Sequence, residues 1–278
     1  MNRITVVGVG LMGGSLARAL RQAFQDPPVI HGISQHPTEL QEPLALGILD
    51  SGSGNQDPLP EAQDLVVFAT PLQAALSLMD RYAPQLRETE TAVTDMVSLK
   101  APMVDRARAL GLENLYVGSH PMVGGTGSGF GHSREDLFTD APVWVVQGEG
   151  RDSALAMVEG LWLALGARPA RIRAGEHDDL MGWVSHLPQL TANALALALE
   201  DHHIDPRHLG SGGLDMTRLA GSSPEMWVDL LRNPPPSLPP ALETLERELR
   251  RLRGLLEEGR IEEIEALMTR TRRWRDRP

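Results

Sequence analysis

Short apolar runs with little alternation recur through the first 173 residues, at 4–9, 29–33, 65–69, 92–96, 115–118, 143–146 and 170–172. Runs of this kind suit strands covered on both faces. Helical spacing of apolar positions fills residues 14–23, 72–82, 99–110 and 153–165 between them. Strand, helix, strand repetition predicts an α/β fold on a doubly wound parallel sheet. After Arg173 the pattern turns helical and no strand is predicted. Leu242, Leu245, Leu249, Leu252 and Leu256 fall three and four apart, making one apolar stripe between charges. Gly259 reads as a helix stop, and Ile261, Ile264, Leu267 and Met268 begin a second stripe. The stretch 233–240 (NPPPSLPP) is expected to be a stiff, non-helical connector. A sheet domain over residues 1–173 and an all-α C-terminal domain over 174–278 are therefore expected. The leucine stripe is expected to pack mainly within the chain, with a homodimer through the helical domain as its other use.

Composition narrows the function. Of 278 residues 41% are hydrophobic and 23% charged, which describes a chain able to bury a core. Lys and Arg number 26 against 37 Asp and Glu, a formal charge of −11 that repels nucleic acid and anionic membrane. Having no cysteine excludes disulfides, thiolate catalysis and cysteine-held metals, and fits a reducing cytoplasm. No metal site is expected. The first apolar run leads into a glycine motif and not into a signal-peptide cleavage site. Residues 180–199 lack Asp, Glu, Lys and Arg, yet include Ser185, His186, Gln189, Thr191 and Asn193. Those polar groups suit a buried helix that carries a site better than a membrane span.

Gly8-Val9-Gly10-Leu11-Met12-Gly13 closes the first predicted strand and opens the first predicted helix. Gly8 permits the tight turn, Gly10 lets backbone approach a pyrophosphate, and Gly13 lets helix and strand pack closely. Leu11 and Met12 then place helix N-terminal amides toward the phosphates. The N-terminal sheet is thereby Rossmann-type, with a nicotinamide dinucleotide as the expected cofactor. No Asp or Glu ends the second strand, where Ser34, Gln35 and His36 stand instead. Without that charge a 2′-phosphate is tolerated, so NADP is favoured and NAD remains usable. Ligands of such sheets lie beyond the carboxyl ends of the strands, which marks Thr70-Pro71, Ser98 and His120. A histidine of ordinary pKa about 6.5 can take a hydroxyl proton as a hydride leaves carbon. A serine at the neighbouring strand end could share its hydrogen bond.

The stretches GVGLMGGS (8–15), DMVSLK (95–100), GSHPMVG (118–124), LFTDAP (137–142), SHLP (185–188), DMTR (215–218) and PEMW (224–227) resemble, in order, the prephenate and arogenate dehydrogenases of tyrosine biosynthesis. The resemblance spans nearly the whole chain. It implies oxidative decarboxylation of a cyclohexadienol, which becomes aromatic as a hydride passes to NAD(P). It makes His120 the proton acceptor and has Ser98 fix the imidazole and touch the same hydroxyl. Arg218 would bind a substrate carboxylate, against the alternative of a surface salt bridge to Asp215 in the same motif. His186 would line the pocket from the helical domain and Trp227 would wall it. Lys100 would brace the Ser98 turn, and tyrosine feedback, if any, would be competition at the active site.

Two departures stand out. Prephenate-using members often carry a second histidine where this chain has Gln189, and many carry a carboxylate where it has Thr126. With the missing ribose carboxylate, these lean toward the arogenate and NADP branch. One rival is a two-domain hydroxyacid dehydrogenase, which places a catalytic lysine in its helical domain; here Lys100, the only lysine, is in the sheet domain. Another is a non-catalytic cofactor-sensing protein, which has no use for Ser98, His120 and Arg218 together.

Overall fold

The computed structural model describes residues 1–124, 127–146 and 151–277. It divides into two compact units, one of residues 1–180 with 221–233, the other of residues 181–220 with those from 234 onward. In the first unit β1 (Arg3–Val7), α1 (Leu11–Ala23), β2 (Val29–Ser34), α2 (Gln41–Ala45), β3 (Ser51–Gly54), β4 (Leu65–Phe68), α3 (Leu72–Leu86) and β5 (Ala92–Asp95) form a parallel sheet in the order β3-β2-β1-β4-β5. Next come α4 (Ala101–Ala109), β6 (Ser119–Pro121), β7 (Pro142–Val146), α5 (Asp152–Ala164), β8 (Arg168–Ile172) and α6 (Ala174–Met181). A second sheet, β6-β7-β8, pairs β6 antiparallel and β8 parallel to β7.

Both faces of the larger sheet are covered at its centre, which is why β1 and β4 read as apolar runs with little alternation. Ile4, Val6, Leu65 and Val67 belong to a core with Leu16 and Leu20 of α1 and Trp162 of α5. Val7, Val66 and Phe68 belong to the opposite core, with Leu72, Met79 and Tyr82 of α3 and Met103 of α4. Ile4 stands beside Ile30 of β2 and Leu65 of β4, so the register carries each core across the sheet.

The second unit holds a π-helical turn (Gly182–His186), α7 (Leu187–Asp201) and α8 (Ser211–Thr217). α9 (Pro224–Leu231) belongs to the first unit, where Leu230 joins the core of α3 and Asp229 Oδ2 accepts from the Gln73 amide. α10 (Leu238–Glu257) and α11 (Ile261–Arg275) complete the second. Among the described residues no helix is long and apolar enough to cross a membrane.

The structure departs from the sequence expectations in several places. Residues 115–118 make one parallel bridge, Tyr116 to Val93, before the chain turns into β6 at Ser119. β3 was not expected because it has no apolar side chain; it is held by backbone pairing and by His31 of β2, whose ring nitrogens lie 2.8 Å from Ser51 Oγ and 2.9 Å from Ser53 Oγ. The connector 233–240 is helical at its end, for α10 begins at Leu238 with prolines in its first turn. Those positions need no amide donor, so proline fits them. Part of the leucine stripe stays on the surface: Leu249 is 57% and Leu256 64% exposed, as are Ile261 (63%) and Met268 (66%) on α11, while Leu245 is half-buried and Ile264 buried. Leu238, Ala241 and Leu255 are the buried positions of α10. By its contacts α9, with Trp227, groups with the first unit.

Burial lowers the pKa of His31 below its ordinary value. An unfolded chain therefore takes up this proton first as pH falls. The stability tied to a neutral His31 is fully present above about pH 6.5 and is lost as pH drops from there toward the lower folded value. Denaturant midpoints from pH 7.5 to 5 should fall less steeply for His31→Gln than for the unaltered protein; equal slopes would remove His31 from the pH response.

Candidate functional site

The glycine turn between β1 and α1 is shaped for a dinucleotide. Gly8 has φ +96°, a left-handed conformation that side chains disfavour, and its amide donates to the Ile33 carbonyl at 2.8 Å. A Cβ on Gly13 would lie 1.9 Å from the Gly8 carbonyl oxygen, so α1 and the turn touch through bare backbone. A Cβ on Gly10 would meet nothing within 4 Å. No side chain caps α1, so its first amides, from Leu11 and Met12 on, face that open space. Thr70, beyond β4, lies against Gly8, and its buried Oγ1 has no hydrogen-bond partner among the described residues. An open cradle, an uncapped helix start and an orphaned hydroxyl fit a bound pyrophosphate. Pro71 is exposed and caps α3.

At the end of β2, Gln35 and His36 are exposed and Ser34 is buried. Ser34 Oγ accepts from the His36 amide at 3.1 Å and donates to Glu39 Oε2 at 3.0 Å. The carboxylate missing from the strand is thus returned to its end by the short 3-10 turn Pro37–Leu40.

His120 sits in β6, opposite Trp144 of β7. Its position follows from a buried network at the ends of β5 and β6. Lys100 Nζ binds Asp95 Oδ1 and donates to the Ser119 carbonyl at 2.7 Å, with Lys100 and Asp95 both fully buried. Tyr116 donates its hydroxyl to Asp95 Oδ2, while Ser119 Oγ lies 3.0 Å from Thr94 Oγ1. Burial pulls the Lys100 pKa down and the Asp95 charge opposes it; burial, then the same charge, pushes Tyr116 well above its ordinary value. Lys100 thus braces the Asp95–Ser119 junction, and Ser98 is half-buried in the loop beyond β5. Ser98 does not hold the imidazole's Nδ1. His177 of α6 does, with Nε2 at 2.9 Å, and His177 Nδ1 in turn lies 2.7 Å from Asp178 Oδ1. Neither His177 nor Asp178 was singled out from the sequence, where the available signal was an imidazole beside a carboxylate at a helix start.

In the second unit, His186 is buried in the π-helical turn. Gln189 is 2% exposed, and its Nε2 donates to the Leu219 carbonyl at 2.8 Å and to Asn193 Oδ1 at 3.2 Å. It thereby ties α7 to the turn that carries Arg218. Arg218 and Asp215 are exposed, and no ion pair joins them among the described residues. Trp227, in the first unit, packs half-buried against the core of α3 and α4. Thr126 lies outside the described residues.

A nucleotide cradle in a parallel sheet, within one unit that also holds an imidazole in β6, defines an NAD(P)-dependent dehydrogenase. The nucleotide-binding domain of prephenate dehydrogenase matches residues 16–170, and the dimerization domain of prephenate dehydrogenase matches residues 173–270. The chain belongs to the prephenate dehydrogenase family. It is 28% identical to the Bacillus subtilis prephenate dehydrogenase over 98% of this chain and 75% of that protein. The cyclohexadienyl dehydrogenase of Zymomonas mobilis is likewise 28% identical, over 90% of this chain and 87% of that one. The Aquifex aeolicus prephenate dehydrogenase in complex with hydroxyphenyl propionate and NAD+ superposes with a TM-score of 0.86 at 28% identity, covering 99% of this chain and 97% of that one. The Synechocystis arogenate dehydrogenase gives a TM-score of 0.82 at 26% identity, over 99% of both chains.

Gly13→Ala should leave the protein folded by circular dichroism but weaken dinucleotide binding by about tenfold or more, because its methyl displaces the turn that faces the pyrophosphate. Titration of reduced-cofactor fluorescence checks this; unchanged affinity would place the dinucleotide elsewhere.

Proposed function

We propose that the protein oxidatively decarboxylates a cyclohexadienol, prephenate or arogenate, with hydride transfer to a nicotinamide dinucleotide, in tyrosine biosynthesis. The observation that carries this reading is His120, held within β6 by a buried network in the unit that contains the nucleotide cradle. Relatives that act as prephenate, cyclohexadienyl and arogenate dehydrogenases support it.

The bound nicotinamide supplies the hydride acceptor; Gly8, Gly10, Gly13, the first amides of α1 and Thr70 would hold the dinucleotide. His120 draws the proton of the ring hydroxyl as the carbon beneath it gives up its hydride. The ring carboxylate leaves as carbon dioxide, its bonding pair enters the ring, and the proton returns to the phenolic oxygen. Ser98 serves as a hydrogen-bond partner of the same hydroxyl. Arg218 offers a substrate carboxylate its planar fork of donors, and its exposure without an Asp215 pair leaves the fork available. His186 and Trp227 remain proposed substrate-binding residues, each within its own unit.

Gln189 favours arogenate. It is neutral and engaged with Leu219 and Asn193, so it offers no charge to a second carboxylate. On the cofactor, the preference for NADP rested on a missing carboxylate, and Glu39 beside Ser34 now supplies one. A charge at the end of β2 accepts a ribose hydroxyl and repels a 2′-phosphate, so we infer that NAD serves at least as well as NADP. The exposed Leu249, Leu256, Ile261 and Met268, within the part that matches a dimerization domain, support a homodimer.

Two substrates assayed with two cofactors test the reading. Reduced cofactor should form fastest with arogenate and NAD, and His120→Asn should lower turnover by about 10²-fold while cofactor still binds. Silence in all four combinations would remove the activity, and a preference for NADP would remove the role given to Glu39. Leu249→Asp should shift the protein from dimer to monomer in sedimentation; a monomer before mutation would remove the interface.

A further inference from the structure

His120 Nδ1, His177 Nε2, His177 Nδ1 and Asp178 Oδ1 follow one another at 2.9 Å and 2.7 Å, in a line that ends at the start of α4. There Asp178 Oδ1 accepts from the Lys100 amide and Oδ2 from the Ala101 amide, both at 2.8 Å. His177 is fully buried and Asp178 nearly so. Among the described residues no three such side chains converge as a metal site. The groups are strung end to end, and their hydrogen bonds have a direction.

That direction is set at the carboxylate. Both Asp178 oxygens accept amide hydrogens at the start of α4, and a carboxylate can only accept. His177 Nδ1 must therefore carry a proton and donate it to Asp178. A neutral His177 then has a bare Nε2, which can only accept. His120 Nδ1 must in turn carry the proton, and its Nε2 is left as the basic nitrogen. We propose that Asp178 and His177 are positioning residues that fix the tautomer of His120, so that Nε2 is the atom that receives the substrate hydroxyl proton. The inference rests on the proposed role of His120. Once Nε2 has taken that proton, the new positive charge is shared along the line: His120 Nδ1–H leans on His177, and His177 Nδ1–H on the Asp178 carboxylate. An orienting carboxylate acts on a catalytic imidazole in this way elsewhere; here a second imidazole lies between them. The ring planes meet at 70°, which keeps His177 edge-on to His120 and rules out stacking.

Three variants and one spectrum test the proposal. Long-range proton–nitrogen NMR of the histidine rings, on the protein without substrate, should show neutral His120 and neutral His177 both protonated at Nδ1. His177→Leu should remove that preference at His120 and lower kcat by about tenfold or more, with KM nearly unchanged. His177→Gln, whose amide can accept from His120 and donate to Asp178, should recover most of the loss. Asp178→Asn should keep the α4 cap through its amide oxygen and yet lower kcat, because its amide hydrogens cannot accept from His177. A His120 protonated at Nε2 in the unaltered protein would overturn the proposal, as would His177→Leu and His177→Gln turning over alike. An inactive unaltered protein with the expected spectrum would instead sink the assigned activity and leave the tautomer standing.

Discussion

The ion pair of Lys100 with Asp95 is the constraint on which the site depends. Both groups are fully buried, and such a pair is tolerated only when its remaining donors and acceptors are satisfied. Here they are: the ammonium reaches the Ser119 carbonyl, and the carboxylate takes the Tyr116 hydroxyl and the Val97 amide. The bonds to Ser119 and from Tyr116 each span two neighbouring stretches of chain. Together they clamp the carboxyl end of β5 to the start of β6, and His120 is the next residue. Losing one partner would leave the other charged and unsatisfied, at a cost of roughly 3–5 kcal/mol. Fold stability and imidazole orientation therefore share one set of contacts.

The same economy appears at Asp178, which starts α4 and ends the line of imidazoles. Gln189 repeats it in the other unit, where it joins α7 to the backbone beside Arg218. In all three places a polar side chain shapes the backbone beside a candidate site residue. Side chains of this kind are recognised by their burial, since an unpaired polar atom in the interior is costly and one that is paired has a structural partner to name.

Much of the fold was legible in the chain because local rules and burial agree there. The apolar runs of β1, β4 and β5 are covered on both faces, and the glycine turn follows the first of them. His120 was marked because strand ends in such sheets are where ligands lie, and the structure sets it inside β6 of the second sheet. His177 was not: its meaning depends on a contact with a residue 57 positions earlier, which no periodicity records. Glu39 was passed over because its distance along the chain was judged against a strand that ends in a carboxylate, whereas a short 3-10 turn folds it back to Ser34. The leucine stripe was read correctly as a helix face, but what covers it could not be read from spacing. β3 escaped notice because serine and glycine carry no strand signal of their own.

That plainness of β3 has a consequence of its own. It forms one margin of the five-stranded sheet, where unsatisfied peptide groups could recruit a strand from another molecule. At four residues it is too short to template a long ladder, and Ser-Gly-Ser-Gly offers an incoming chain nothing greasy to bind. A newly made chain can therefore complete its sheet without that rim becoming a seed for misassembly.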